Sequence, residues 1–189
     1  SIYRKLEIAF ANFQLRCLRK NSSGMGLNMN TVICYASKTG TTENAARKLA
    51  EYLEDVKIIN LEKETVNLND FDCIIIGGSI RMGQLHKVAK KFIIEHHEDL
   101  LKKKCGFFIC NGFPEQAETF LAQNIGQDLL SHSICAASFG GEMDINRLKG
   151  IDKFIAKAVI NSTKDNPRAI PQLLTDNIKQ FSEAVNEAQ

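Results

Sequence analysis

Between residues 37 and 42 the chain runs Ser37-Lys38-Thr39-Gly40-Thr41-Thr42, four hydroxyls and a glycine in one short stretch. An apolar run precedes it and a helical pattern follows it, so the segment reads as a tight turn at a helix N-terminus. Such a turn aims several free backbone N–H groups at one point, where the helix dipole favours an anion. The hydroxyls of Ser37, Thr39, Thr41 and Thr42 add donors around that point, and Gly40 lets the backbone come close. Lys38 is the one positive charge in the loop, so a phosphate there is held mainly by neutral donors. Ordinary Ser/Thr capping accounts for one hydroxyl at a helix start. Four with a glycine, directly after the first strand, point to phosphate. Other phosphate loops are excluded: no G-x-x-x-x-G-K-[ST] occurs, and the G-x-G-x-x-G of dinucleotide sites is missing after this strand. A response-regulator receiver shares the topology but needs an acidic cluster by its first strand, and none is present.

The periodicity of the remaining chain supplies the scaffold for this loop. Apolar runs at 31–36, 56–60, 71–78, 105–111 and 133–139 read as strands. The run Ile74-Ile75-Ile76 is of the continuous kind that marks a strand covered on both faces. Helical spacing recurs at 42–53 (Ala45, Ala46, Leu49, Leu53), 87–96 (Val88, Phe92, Ile93), 115–123 and 171–187 (Leu174, Ile178, Phe181, Val185). Strands alternating with helices predict an α/β fold with a doubly wound parallel sheet. Ligands of such sheets bind outside the carboxyl ends of the strands. Two further strand ends therefore matter: Gly77-Gly78-Ser79-Ile80-Arg81-Met82-Gly83 and Cys110-Asn111-Gly112-Phe113-Pro114. Each alone is a plain glycine turn.

At 189 residues, 44% hydrophobic and 24% charged, the chain has the composition of one soluble domain with appendages. No apolar run of about 18 residues is present, so nothing in the sequence spans a membrane. The net charge of +2 is unevenly placed. Residues 1–29 carry Arg4, Lys5, Arg16, Arg19 and Lys20 against Glu7, which leaves 19 basic and 21 acidic side chains elsewhere. No basic stripe interleaved with aromatics appears, and nucleic-acid binding is not expected. The extension 1–29 has Ile2, Leu6, Phe10, Phe13 and Cys17 at helical spacing. An amphipathic arm, a targeting segment, and sequence upstream of a natural start at Met29 are its three readings. The six cysteines form no C-x-x-C, and five lie in or beside strand-like runs, which suggests buried reduced thiols in a cytoplasmic protein. With four histidines they show no zinc spacing, so no metal is expected.

The pattern Tyr35-x-Ser37-x-Thr39-Gly40-x-Thr42-x-x-x-Ala46 resembles the phosphate signature of flavodoxins. That resemblance implies a flavodoxin-like domain over 30–189, strand order 2-1-3-4-5, and flavin mononucleotide (FMN) as cofactor. It assigns the FMN phosphate to Ser37, Lys38, Thr39, Gly40, Thr41 and Thr42. It assigns the flanks of the isoalloxazine ring to Gly78, Ser79, Ile80, Arg81, Met82 and Gly83 on one side and Asn111, Gly112 and Phe113 on the other. Departing from the usual aromatic sandwich, the chain has no Trp, and its tyrosines fall outside both loops. Gly77-Gly78-Ser79-Ile80-Arg81-Met82-Gly83-Gln84-Leu85-His86 further resembles the menaquinone-dependent protoporphyrinogen oxidases, as does an extra helical segment at about 140–165. Within that segment, 148–160 is amphipathic, with Lys149, Lys153 and Lys157 beside its apolar face. It reads either as a core-packing helix with a solvated face or as a peripheral contact with a membrane or partner. The stretch 111–131 looks shorter than in those oxidases.

Three functions remain in view. The first is an FMN oxidoreductase that takes electrons from a porphyrinogen and gives them to a quinone, with Arg81 and His86 as catalytic candidates at the flavin edge. The second is an electron carrier docking to other redox proteins, which are usually steered by strong acidity that this chain lacks. The third is an interaction domain that has lost its flavin, and the complete hydroxyl loop speaks against it.

Overall fold

The computed structural model describes residues 29–141 and 172–188. Five parallel strands form the sheet: β1 (Thr31–Ala36), β2 (Val56–Asn60), β3 (Cys73–Arg81), β5 (Lys104–Cys110) and β6 (Cys135–Ser138), in spatial order β2-β1-β3-β5-β6. This is the doubly wound order expected. A short strand, β4 (Gln84–Leu85), turns back antiparallel on the end of β3. A two-residue strand has no measurable period, so periodicity gives no sign of it.

Alternate residues of each strand face opposite sides, and both sides are covered. Val32, Cys34, Ile74, Ile76 and Phe107 face α2 (Lys87–Glu95), α3 (His97–Leu100), α4 (Ala117–Ile125) and α5 (Gln127–His132) through Phe92, Leu100, Leu121 and Leu129. Ile33, Tyr35, Ile75 and Phe108 face α1 (Thr41–Ala50) and α6 (Thr175–Glu187) through Ala46, Leu49, Ile178 and Phe181. This double burial is why the central strands read as unbroken apolar runs. In the second layer Phe108 stacks on Phe139 at 4.5 Å between ring centres, and Phe181 meets Phe139 edge-on at 5.2 Å. Each such pair contributes about 0.5–1.5 kcal/mol beyond its buried area.

Where the sequence suggested one helix over 115–123, the chain forms a 3-10 turn (Pro114–Gln116), then α4, then α5 after Gly126. The last helix starts at Thr175 rather than 171, because Leu173 bridges Gly140 antiparallel and the Leu174 N–H donates to the Phe139 carbonyl at 2.9 Å. Chain departing after β6 and chain arriving at α6 are thereby tied side by side. The extension 1–29, apart from Met29, and the amphipathic helix expected at 148–160 lie outside the described residues.

Candidate functional site at the carboxyl ends of the strands

The register brings three strand ends together. Ala36 closes β1 opposite Gly78 of β3, and Ser79 lies opposite Cys110 at the end of β5. From Ala36 the hydroxyl loop leads straight into α1 through Gly40, whose φ of 89° is left-handed and so suits glycine. No side chain caps this helix start. The Ser37 hydroxyl instead accepts the Gly40 N–H at 3.0 Å and folds the loop on itself, with the Thr39 and Thr41 hydroxyls 3.5 Å apart. Thr42 is completely buried, and its Oγ1 has no hydrogen-bond partner among the described residues; the Ser79 Oγ is in the same position. A buried hydroxyl left unsatisfied costs about 1–3 kcal/mol. An orphaned Thr42 hydroxyl beside an uncapped helix start is the kind of donor site that suits an external phosphate. The residues present therefore fit the phosphate of FMN. Lys38 is exposed at the loop's outer edge.

A residue that sequence reasoning passed over supports this loop from outside. Glu62 Oε2 accepts the Ser37 N–H at 3.3 Å, while its Oε1 lies 3.6 Å from Nε2 of His86. The His86 ring caps α2, its Nδ1 accepting the Val88 N–H at 3.4 Å. With Nδ1 accepting, neutral His86 carries its proton on Nε2, towards Glu62. His86 is thus only 12% exposed at its side chain and is occupied by structural contacts that bridge the phosphate loop to the helix after β3. The signal for Glu62 was the strand order itself: β2 lies beside β1, so the turn after β2 must line the turn after β1.

The two segments that the family resemblance assigns to the ring lie at the ends of β3 and β5. Met82 (φ 50°) and Gly83 (φ 76°) form the two-residue tip of the β3–β4 hairpin, with Arg81 paired to Gln84. Met82 is 100% exposed, Arg81 is exposed, and Ile80 packs against the core below them. The glycines Gly77 and Gly78 have packing reasons. A Cβ on Gly77 would sit 2.0 Å from the Phe108 ring, and one on Gly78 would sit 2.6 Å from Leu85 Cδ1. Across the site, the buried Asn111 donates from Nδ2 to the Phe113 carbonyl at 2.6 Å and accepts from the Ser138 hydroxyl. Its N–H donates to the Gly140 carbonyl at 2.8 Å, so the β5 and β6 ends are fastened together. Gly112 and Phe113 project beyond them, Phe113 being 61% exposed. Ser138 and Asn124 (described below) are further residues that the sequence did not single out, since their partners lie far along the chain.

Nucleophilic thiol chemistry is excluded for three of the buried cysteines. Desolvation pushes the thiols of Cys34, Cys73 and Cys105 up to about 12. Among the described residues no cluster of His, Cys, Asp or Glu is placed to hold a metal ion, and no helix is long and apolar enough to cross a membrane.

The family model described as a flavodoxin domain matches residues 32–169. A curated protein from Escherichia coli K12, protoporphyrinogen IX dehydrogenase [quinone], is 24% identical over 148 residues, covering 70% of this chain and 79% of that protein. Among solved structures, two-electron reduced Megasphaera elsdenii flavodoxin is 20% identical, covering 82% of this chain and 96% of that one with a TM-score of 0.49. A flavoprotein from Lactobacillus acidophilus in complex with FMN is 14% identical, covering 58% and 93%, with a TM-score of 0.44.

Proposed function

This chain belongs to the flavodoxin domain family, and from that premise we propose that it binds FMN and acts as an oxidoreductase moving electrons from a porphyrinogen to a quinone. The observation that carries the cofactor is the uncapped start of α1 beside the buried, unpartnered hydroxyl of Thr42. Thr39, Thr41, Thr42 and the first-turn N–H groups hold the phosphate, and Ser37 shapes the loop by capping Gly40. The hairpin at Met82 and Gly83 and the turn at Gly112 and Phe113 flank the ring. When bound, the flavin supplies reversible one- and two-electron chemistry, and the protein supplies placement and charge.

Arg81 places a guanidinium at the rim, where it binds a substrate carboxylate or offsets negative charge on the reduced cofactor. His86 acts through Glu62, holding the two loops in register, and its role is positioning rather than contact with substrate. The oxidoreductase reading draws on the likeness to the Escherichia coli dehydrogenase. Exposure of Met82 and Phe113 at the rim favours a second reading, an electron carrier whose partner protein covers them.

The test is anaerobic turnover of protoporphyrinogen by FMN-loaded protein with a menaquinone analogue. Quinone-dependent porphyrin fluorescence is expected. In Thr42→Val, loss of a hydrogen bond to a charged group, about 1.5–3 kcal/mol, weakens FMN roughly 10- to 150-fold. Bound FMN with no turnover, but reversible reduction by a redox protein, would move the assignment to the carrier. Absence of FMN binding would sink both.

A further inference from the structure

Asn124 lies on α4, 7% exposed, and every hydrogen-bond contact of its amide is to backbone. Its Oδ1 accepts the Leu85 N–H at 2.9 Å, and its Nδ2 donates to the Gly83 carbonyl at 2.9 Å and to the Phe120 carbonyl of its own helix at 2.8 Å. The Gly83 carbonyl and the Leu85 N–H straddle Gln84 on the outer edge of β4. Beside a parallel strand, such a pair is satisfied by one residue of that neighbour, through that residue's own N–H and C=O. The planar amide of Asn124 offers the same donor and acceptor, so one side chain takes the place of a missing strand. Leu85 is 4% exposed, so its N–H has no recourse to water when that partner is removed.

We propose that Asn124 is a positioning residue that sets the β3–β4 hairpin in its ligand-ready shape before flavin arrives. The hairpin needs such a clamp. It is only two residues long on the β4 side, and its tip holds Met82 in a left-handed conformation that a methionine resists. Fixing the Gly83 carbonyl from behind commits that group to the protein and leaves the remainder of the tip to face the ring. This inference rests on the FMN reading for its consequence, though the clamp itself is a property of the chain alone.

Amide hydrogen exchange on flavin-free protein tests the clamp. In Asn124→Ala the Leu85 amide is expected to exchange at least about tenfold faster, while Ile33 in β1 keeps its wild-type protection. With FMN, the variant is expected to bind about tenfold more weakly. The ratio of affinities for oxidised and reduced flavin also changes about tenfold, a midpoint shift of roughly 30 mV for a two-electron couple. A merely structural loss would not move the potential. Leu85 exchange within twofold of wild type, or an unchanged potential, overturns the proposal. If Asn124→Ala also loses Ile33 protection, Asn124→Gln, which displaces the amide by one methylene, is read by the same criteria. Wild-type protein that takes up no FMN overturns the flavin reading and leaves the clamp to be judged on exchange.

Discussion

Glu62 sets a carboxylate against a loop otherwise arranged for an anion, and the two roles oppose each other. Its acceptance of the Ser37 N–H ties the loop to the turn after β2, while its charge opposes the phosphate proposed for that loop. Replacing it by Gln keeps an acceptor for that N–H and removes the charge. Glu62→Gln is therefore expected to bind FMN about two- to tenfold more tightly at low salt, with the gain shrinking as ionic strength rises, as flavin fluorescence titrations would report. An unchanged or weaker affinity would show that the carboxylate matters only as a hydrogen-bond acceptor. At this scale the hydroxyls of the loop were legible, because all their information is local: four side chains, one glycine and a helix start. Glu62 was not, because its neighbour Ser37 is 25 positions away, and strand order brings the turn after β2 beside the loop without fixing which of its side chains reaches it.

Among the elements, the β3–β4 hairpin is the least typical. Two-residue hairpin tips with positive φ at both positions favour Asn-Gly or Gly-Gly; here the first of the pair is Met82. Its side chain is wholly exposed, so no side-chain packing offsets the strain of about 1–2 kcal/mol. Met82→Asn is expected to stabilise the flavin-free protein by about 0.5–1 kcal/mol in urea unfolding, since Asn tolerates this conformation. If the methionine serves the cofactor, the same variant weakens FMN. A variant no more stable than wild type would show that the surrounding clamp already absorbs the strain. The missing Asn-Gly signal is also why this hairpin was not foreseen, whereas the long parallel strands declared themselves through unbroken apolar runs. The helix α5 went unassigned for a related reason: its six residues, set off by Gly126 at φ 97°, are too few to show a helical period.

In the molecule as a whole, two core layers meet through the sheet, and glycines in the central strands regulate how closely they pack. Gly77 lies in β3, near the strand end that leads into the candidate site. The flat group that it admits is the Phe108 ring, part of the aromatic group with Phe139 and Phe181. Gly77→Ala would force that ring out of place and is expected to destabilise the fold by about 1–3 kcal/mol in thermal or urea unfolding. A loss below about 0.5 kcal/mol would mean that the second layer yields more readily than its aromatic stacking suggests. The fold class was readable because periodicity and alternation are properties of sequence, and the strand order followed from the family resemblance, but which glycine serves the core and which serves a ligand depends on side chains brought from other strands. The antiparallel bridge between Gly140 and Leu173 has a consequence of another kind. Since the two ends of the intervening stretch are pinned together by the domain itself, the sheet and its helices close whatever length of chain lies between. Doubling that length adds only about 0.6 kcal/mol of closure entropy. The junction between Gly140 and Leu173 is therefore a place where the chain can be lengthened or shortened at little cost to the sheet.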